Sequence, residues 1–356
     1  MPIRMTVLMV FTGLFLAAAV SGASFRAQQP AQTPTPQTSQ ASSTQQPRAQ
    51  SAKAQQPASQ QNAQATRQQN AADQDADAPF LKVGVNEVNL IFTVTDKHGH
   101  YVPNLKLNDF SLLDDQRYPE KINDFRQQIN LPLRVGIVID ASTSISTRFE
   151  FEQKSAVDFL LQILKSRDDR AFVMGFDATP NVTTAWTNDI DALEAGIKRL
   201  RPGGGTALFD AVYTACRDKL LEVSRGKEPV RKVMILISDG DDNQSLVQLD
   251  GAIKMCLRSE TIIYAISTNW TPSRGRGDQV LTRLAAETGG QPFFPPSVEE
   301  MSASFKSIKV ELRSQYALTY TPAYFKATGA FRPIYLRCKD HSYIVRTRKG
   351  YFAPRD

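Results

Sequence analysis

The sequence has 356 residues, of which 41% are hydrophobic and 22% are charged, and its formal net charge is +6. This length allows one or two domains, and the interspersed charges contain no lysine- and arginine-rich block that would support nucleic-acid binding. The three cysteines, Cys216, Cys256 and Cys338, are too few for a disulfide framework and do not have the spacing of metal ligands.

Residues 1–23 predict a secretory signal sequence. A short basic start precedes an apolar run from Met5 to Val20, and the small residues Ser21 and Ala23 form a cleavage pattern. The alternative is an uncleaved membrane anchor, although the apolar run is short for a span, which needs ~20 residues. We therefore expect cleavage after Ala23 and no stable membrane span afterwards. The expected location is the periplasm, the cell surface or the medium.

The next two segments differ sharply in composition. Residues 24–78 are rich in Gln, Ala, Pro and Ser, with few large apolar side chains, and predict a disordered linker. Residues 79–130 alternate apolar and polar side chains, as in "VNEVNLIFTVT", and include a pair of short strands around "DDQRY". They predict the N-terminal part of a small β module. His98 and His100 in the turn "DKHGH" suit either a metal contact or a solvated hairpin tip.

Residues 131–313 predict an α/β domain. Continuous apolar runs such as "LRVGIVID" and "RKVMILISD" alternate with helical patterns such as "ALFDAVYTACRDKLLEV" and "LVQLDGAIKMCLRS". This order favours a parallel sheet that is covered by helices on both faces. Residues 314–356 return to strand patterns, in "YALTYTP", "FRPIYLRCK" and "YIVRTRKGYF". We expect them to complete the β module, so that the α/β domain is inserted into a split β-sandwich.

Small oxygen-bearing side chains follow several of the predicted strands. Asp140 ends "LRVGIVID" and is followed by Ser142 and Ser144, while Asp239 follows "VMILIS" and Thr206 follows three glycines in "RPGGGT". Ligands of open α/β sheets bind beyond the carboxyl ends of the strands. Oxygen atoms are also the ligands that Mg²⁺ prefers. These five residues therefore predict a metal site that has few charged ligands.

Each of these residues also has a purely structural interpretation. Ser142 and Ser144 could cap the following helix, Asp239 could begin a turn with Gly240, and Thr206 could cap the helix "ALFDAVYTA". We interpret the other acidic residues near these loops as supporting or solvated groups: Asp177, Asp210, Asp241 and Asp242.

The combined pattern resembles a known family. Asp-x-Ser-x-Ser at positions 140 to 144, Thr206 after a glycine loop and Asp239 in "SDG" are similar to the metal-ion-dependent adhesion site of von Willebrand factor type A domains. The resemblance covers roughly residues 133–313. The flanking strands, with "KGYFAP" near the end, look like those of secreted bacterial proteins that carry a related domain. The resemblance implies a Rossmann-like, doubly wound sheet, mostly parallel, with one antiparallel edge strand.

The resemblance also implies roles for the five residues. Ser142 and Ser144 would bind the metal directly, Thr206 directly or through water, and Asp140 and Asp239 mostly through water. The cation would be Mg²⁺, or Mn²⁺ or Ca²⁺ in its place. The partner would be a protein that presents an Asp or Glu carboxylate, and the outcome would be adhesion or assembly without catalysis.

Two other functions fit the sequence. One is a structural scaffold whose site holds no metal. The other is a metal-dependent hydrolase, in which Asp140 would act as a nucleophile or the metal would activate water. The predicted site has no histidine, cysteine or Asp-x-Asp pair, and its glycine loop lacks the lysine of a phosphate-binding loop. These features favour a non-enzymatic protein.

Two further hypotheses concern the helices. Cys216 and Cys256 are expected on neighbouring helices of one sheet face, where they either form a bridge, which a secreted protein permits, or stay as two buried thiols. The last helix of the domain runs directly into "YALTYTP". In the domains that this sequence resembles, that helix slides when the metal accepts a ligand, and here the slide would pull on the β module.

Overall fold

The computed structural model describes residues 87–128, 131–146, 149–223, 230–269 and 274–354. They all belong to one compact unit, which begins at Phe80. The predicted signal sequence, the predicted linker and the first residues of the predicted β module lie outside the described residues. Within the part of the chain that is described, no helix is long and apolar enough to cross a membrane.

Strands occupy both ends of the described chain, and strands alternate with helices between them. In chain order the elements are β1 (Val88–Thr95), β2 (Phe110–Asp114), β3 (Lys121–Gln128), β4 (Leu133–Asp140), α1 (Phe149–Ile163), β5 (Arg170–Phe176), β6 (Pro180–Thr187), α2 (Ile190–Arg199), α3 (Leu208–Thr214), α4 (Leu221–Val223), β7 (Arg231–Ser238), α5 (Leu249–Arg258), β8 (Ile262–Ser267), α6 (Arg276–Thr288), β9 (Pro292–Phe293), α7 (Val298–Leu312), β10 (Gln315–Thr321), β11 (Phe331–Cys338), β12 (Ile344–Thr347) and β13 (Gly350–Phe352). A π-helical segment, Ala215–Leu220, joins α3 to α4.

The middle of the chain forms a six-stranded sheet in the order β6-β5-β4-β7-β8-β9. Its strands are parallel except for the edge strand β6, which is antiparallel to β5. Strand β4 shows why the apolar runs are continuous: Ile137 and Ile139 face a core shared with α1, α2 and α7, and Val138 faces one shared with α3, α5 and α6. The predicted doubly wound α/β fold is confirmed.

The strands from the two ends of the chain form two small antiparallel sheets, in the orders β12-β1-β10-β3 and β13-β11-β2. A separate hydrophobic core draws on both sheets. Within it the ring of Phe92 lies 5.2 Å from that of Phe110 and 5.5 Å from that of Tyr316, between ring centroids. The chain therefore leaves the β-sandwich after β3, builds the α/β domain, and returns at β10.

Two details of the sandwich differ from the simplest interpretation of the sequence. The strands on either side of "DDQRY" do not pair with each other, since β2 lies in one sheet and β3 in the other. The segment "YIVRTRKGYF" divides into two strands, β12 and β13, that also lie in different sheets. It changes sheets beside the end of α6, where Lys349 N donates to Glu287 O (3.0 Å) and Gly289 has a φ of 87°. A Cβ on Gly289 would stand 2.5 Å from Arg348 N, so the close approach requires glycine.

The hypothesis of a disulfide is confirmed. Cys216, in the π-helical segment, is bonded to Cys256 in α5, and their Cα atoms are 5.1 Å apart. Both cysteines belong to the core on one face of the six-stranded sheet. Cys338 is unbridged and buried in the sandwich.

Candidate metal centre

The two predicted carboxylates lie at the ends of adjacent strands. Asp140 is the last residue of β4 and Asp239 directly follows β7, and these strands are parallel neighbours, with Ile139 opposite Ile237. The chain passes from β4 to β5 on one side and later returns to β7 on the other. This reversal of strand order creates the crevice in which α/β proteins bind ligands.

Asp140 is held in place through both carboxylate oxygens. Its side chain is fully buried, with Oδ1 accepting from Ser142 N (2.9 Å) and Oδ2 accepting from the Ser238 hydroxyl (2.8 Å). We did not predict the contribution of Ser238. The sequence did contain a signal for it, because a hydroxyl group ends the apolar run "VMILIS". A strand that is buried on both faces does not need a hydroxyl there.

Hydroxyl groups connect the first loop to the second carboxylate. Ser142 Oγ lies 2.9 Å from Ser144 Oγ, and Ser144 Oγ donates to Asp239 Oδ2 at 2.9 Å. Ser142 occupies the N-cap position of a short 3₁₀ turn, but its side chain makes no capping hydrogen bond within the described residues. Ser142 therefore does not cap this turn through its side chain.

Thr206 joins the site through its backbone. Thr206 N donates to Asn243 Oδ1 (2.9 Å), and Thr206 O accepts from Asn243 N (2.9 Å) and Gln244 N (3.1 Å). The N-cap of α3 is Ala207, so Thr206 does not cap that helix. We did not predict the role of Asn243, which ties the glycine loop to the loop that begins at Asp239.

The glycine loop is also attached to the first loop. Gly203 N donates to Ala141 O (2.8 Å), and the Thr143 hydroxyl donates to Gly204 O (3.0 Å). Gly204 has a φ of 70°, a left-handed conformation that favours glycine. The three predicted loops thus form one hydrogen-bonded group.

Asp239 also has the turn role that its sequence allows. Its Oδ1 accepts from Asp241 N at 3.1 Å, across Gly240, which has a φ of 83°. A Cβ on Gly240 would stand 2.2 Å from Gly277 O, so the start of α6 packs directly against this turn. The Asp239 carboxylate is therefore held through Oδ1 by its own turn and through Oδ2 by Ser144.

The surroundings of Asp140 and Asp241 disfavour the ionised forms of these two side chains. Burial raises the pKa of Asp140 to about 6, hydrogen bonds partly oppose this, and the charge of Asp239 raises it further. Burial also raises the pKa of Asp241, with added contributions from Asp239 and Asp278. A positive charge placed among these groups would stabilise their ionised forms.

Histidine and cysteine do not contribute to this group of loops. His98 and His100 lie in an exposed turn of the sandwich, where Asp96 Oδ1 accepts from both backbone N–H groups (2.8 and 2.9 Å). Among the described residues, no three His, Cys, Asp or Glu side chains form a group that could hold a metal ion. The predicted ligand set is of another kind, since it pairs two carboxylates with three hydroxyls.

Residues 135–307 match the family model of the von Willebrand factor type A domain, and this segment includes all five predicted site residues. The chain contains a von Willebrand factor type A domain. No curated protein matches the chain.

Solved structures to which the chain is similar include several bacterial proteins. Protein BatB from Bacteroides thetaiotaomicron is 15% identical, with 51% of this chain and 100% of that one covered and a TM-score of 0.41. The minor pilin PilB from Streptococcus sanguinis is 15% identical, with 52% and 62% covered and a TM-score of 0.41. A von Willebrand factor type A protein from Catenulispora acidiphila is 12% identical, with 70% and 74% covered and a TM-score of 0.42. None of these likenesses carries information on function.

Proposed function

We propose that the type A domain binds a divalent cation through Asp140, Ser142, Ser144, Thr206 and Asp239, and presents it to a carboxylate of a protein partner. The observation that carries the proposal is the spacing of oxygen atoms. Adjacent ligands of an octahedral Mg²⁺ at ~2.1 Å are about 3.0 Å apart. The two oxygens expected to bind the ion directly, Ser142 Oγ and Ser144 Oγ, are 2.9 Å apart, and Asp239 Oδ2 lies 2.9 Å from Ser144 Oγ. The donor set and its spacing therefore fit such an ion, with Mn²⁺ or Ca²⁺ as alternatives.

The hydrogen bonds indicate different roles for these residues in binding the cation. Ser142 and Ser144 offer neutral oxygens, whereas both oxygens of Asp140 already accept from protein donors. Asp140 would then contribute charge at a distance and keep the first loop in position. Because the hydroxyl ligands are neutral, a bound divalent ion would keep positive charge, and it would supply a Lewis-acidic position for an external carboxylate.

We further propose that the protein is not an enzyme and acts outside the cytoplasm. The histidines, His98, His100 and His341, all lie in the sandwich part of the sequence, so none is available at the site as a general acid or base. The Cys216–Cys256 disulfide and the predicted signal sequence support an oxidising location.

Calorimetry with Mg²⁺ and Mn²⁺ tests the metal site. We expect Asp239→Ala to abolish cation binding because it removes a negative charge and the oxygen next to Ser144. Asp241→Ala is the matched control. It removes an equal charge only two residues from Asp239, but Asp241 does not belong to the predicted ligand set. Thermal melting should show that both variants stay folded. An Asp239→Ala variant that binds the cations as tightly as the unaltered protein would refute the proposal.

A further inference from the structure

The loop between β7 and α5 carries an apolar side chain that faces solvent. Leu246 is 91% exposed, more than any other large hydrophobic residue of the described chain. Single exposed apolar residues are common on protein surfaces and need no special explanation. Leu246 differs because of where it lies: its loop begins at Asp239, and the same loop binds Thr206.

The first half of this loop is fixed by the site itself. Asn243 exchanges hydrogen bonds with Thr206 through both its backbone and its side chain, and Gln244 N donates to Thr206 O at 3.1 Å. A Cβ on Gly205 would stand 2.6 Å from Gln244 Cγ, so the loop packs tightly on the glycine loop.

The second half is fixed by Asp210, in the first turn of α3. Leu246 N lies 3.1 Å from each Asp210 carboxylate oxygen, and Val247 N donates to Oδ1 at 2.8 Å. Helix α5 begins at Leu249, although the pattern "LVQLDGAIKMCLRS" predicted a start at Leu246, and the two residues bound by Asp210 lie in the loop before it.

The helix is held by the loop in return. Phe209 N donates to Asp242 Oδ2 and Asp210 N donates to Ser245 Oγ, each at 3.0 Å. Two acidic residues that we interpreted as supporting or solvated groups therefore form a reciprocal clamp. The clamp uses backbone atoms and polar side chains, so it does not depend on the side chain of Leu246.

The neighbouring apolar residues behave differently. Val247 and Leu249 pack against the hydrophobic core, whereas Leu246 is turned away from it. The result is an apolar side chain on a hydrogen-bonded loop that also carries Asp239 and binds Thr206. A partner that packs on Leu246 would not have to order the loop, and avoiding that entropy cost raises affinity.

We propose that Leu246 is an apolar contact for the segment of the partner that carries the metal-binding carboxylate. The domain would then recognise an Asp or Glu that has a large apolar side chain close to it in sequence. This inference rests on the proposed function, because it takes the metal-bound carboxylate as the fixed point of recognition.

A phage-displayed library of nonapeptides with a central Asp or Glu and random flanks tests the inference. The library is selected on the full chain with Mn²⁺ and eluted with chelator. We expect Leu, Ile, Met or Phe to be enriched next to the acid. A selected peptide should bind Leu246→Ser about ten-fold more weakly than the unaltered protein, as expected when part of a leucine side chain loses its apolar contact.

Two controls accompany the test. Leu246→Ser should bind Mn²⁺ as tightly as the unaltered protein, because the clamp does not use the leucine side chain. Leu161→Ser removes another exposed leucine, 48% exposed and located in α1, and should leave peptide binding unchanged.

The possible failures separate the two proposals. Selection of acidic peptides without an apolar preference, or equal binding by Leu246→Ser, would overturn the role of Leu246 and leave the metal-dependent function in place. Failure to select any Mn²⁺-dependent acidic peptide would contradict the carboxylate partner itself, and the role of Leu246 with it.

Discussion

Glu311 in α7 accepts a hydrogen bond of 3.0 Å from the hydroxyl of Thr93 in β1, although 218 residues separate them in the sequence. The same carboxylate oxygen accepts from the Tyr264 hydroxyl in β8 at 3.1 Å, and the other is 2.6 Å from Arg346 Nη2 in β12. Burial, followed by the charge of Glu311, raises the pKa of Tyr264 well above its usual value. One carboxylate therefore connects the last helix and the central sheet to the β-sandwich.

We predict that Glu311→Ala lowers the free energy of unfolding by about 2–4 kcal/mol, because it removes the acceptor of the buried Thr93 and Tyr264 hydroxyls and the partner of the partly buried Arg346. Glu311→Gln should cost less, since it keeps an acceptor for Thr93. Urea denaturation measures both changes. Glu300→Ala, at an exposed position of the same helix, should change stability by less than about 0.5 kcal/mol. If Glu300→Ala and Glu311→Ala lowered the free energy of unfolding equally, the contacts of Glu311 would contribute nothing to stability.

The predicted slide of the last helix can be examined at the same junction. Because Glu311 is bonded to β1 and β12, a shift of α7 must either break these contacts or move the sandwich with it. We predict that Mg²⁺ together with a bound acidic peptide changes the distance between spin labels at Lys198 in α2 of the α/β domain and Arg337 in β11 of the sandwich, provided that the ligand favours one arrangement. Electron–electron distance measurements report this change. An identical distance with and without ligand would indicate a rigid head.

The disulfide gives a third prediction. Cys216 and Cys256 are 40 residues apart in sequence, and closing a loop of that length in the unfolded chain stabilises the fold by about 4 kcal/mol. Reduction of the unaltered protein should lower its free energy of unfolding by a similar amount. A Cys216→Ala/Cys256→Ala variant should be less stable from the outset and should not respond to reductant.

Peptide mapping without reductant provides the direct check on the bond. Cys338→Ala is the control variant, because this thiol is buried but unbridged, and the variant should keep the response to reductant. Two free thiols at positions 216 and 256 would contradict the prediction.

The sequence was most informative where side-chain patterns repeat along one element. Strand β4 and the alternating helices were predictable because burial on both faces demands an unbroken apolar run, as in "LRVGIVID". The ligand candidates Asp140 and Asp239 were predictable because each interrupts such a run at its carboxyl end. A parallel sheet then places both at the same edge, whereas their adjacency depends on the strand order, in which β4 lies beside β7.

The features that were missed depend on contacts between distant segments. Ser238 supports Asp140 only because β7 lies beside β4, and Asn243 matters only because its loop reaches Thr206. The role of Asp210 was missed for the same reason, since it binds backbone groups of another loop. Helical periodicity contains no information about a carboxylate that lies in a different helix.

The position of β1 in its sheet has a consequence for how the chain folds. Both strands that pair with β1 come from the far end of the described chain, β10 beginning at Gln315 and β12 at Ile344. A chain that is synthesised from its N-terminus onwards must therefore expose the apolar side of β1, including Leu90 and Phe92, until almost all of the sequence has been made. Such long-range pairing slows folding and leaves unpaired strand edges open to aggregation. The α/β domain is complete before β10 is made. A chain whose synthesis stopped at that point would therefore contain a folded α/β domain and, before it in the sequence, an unpaired strand β1.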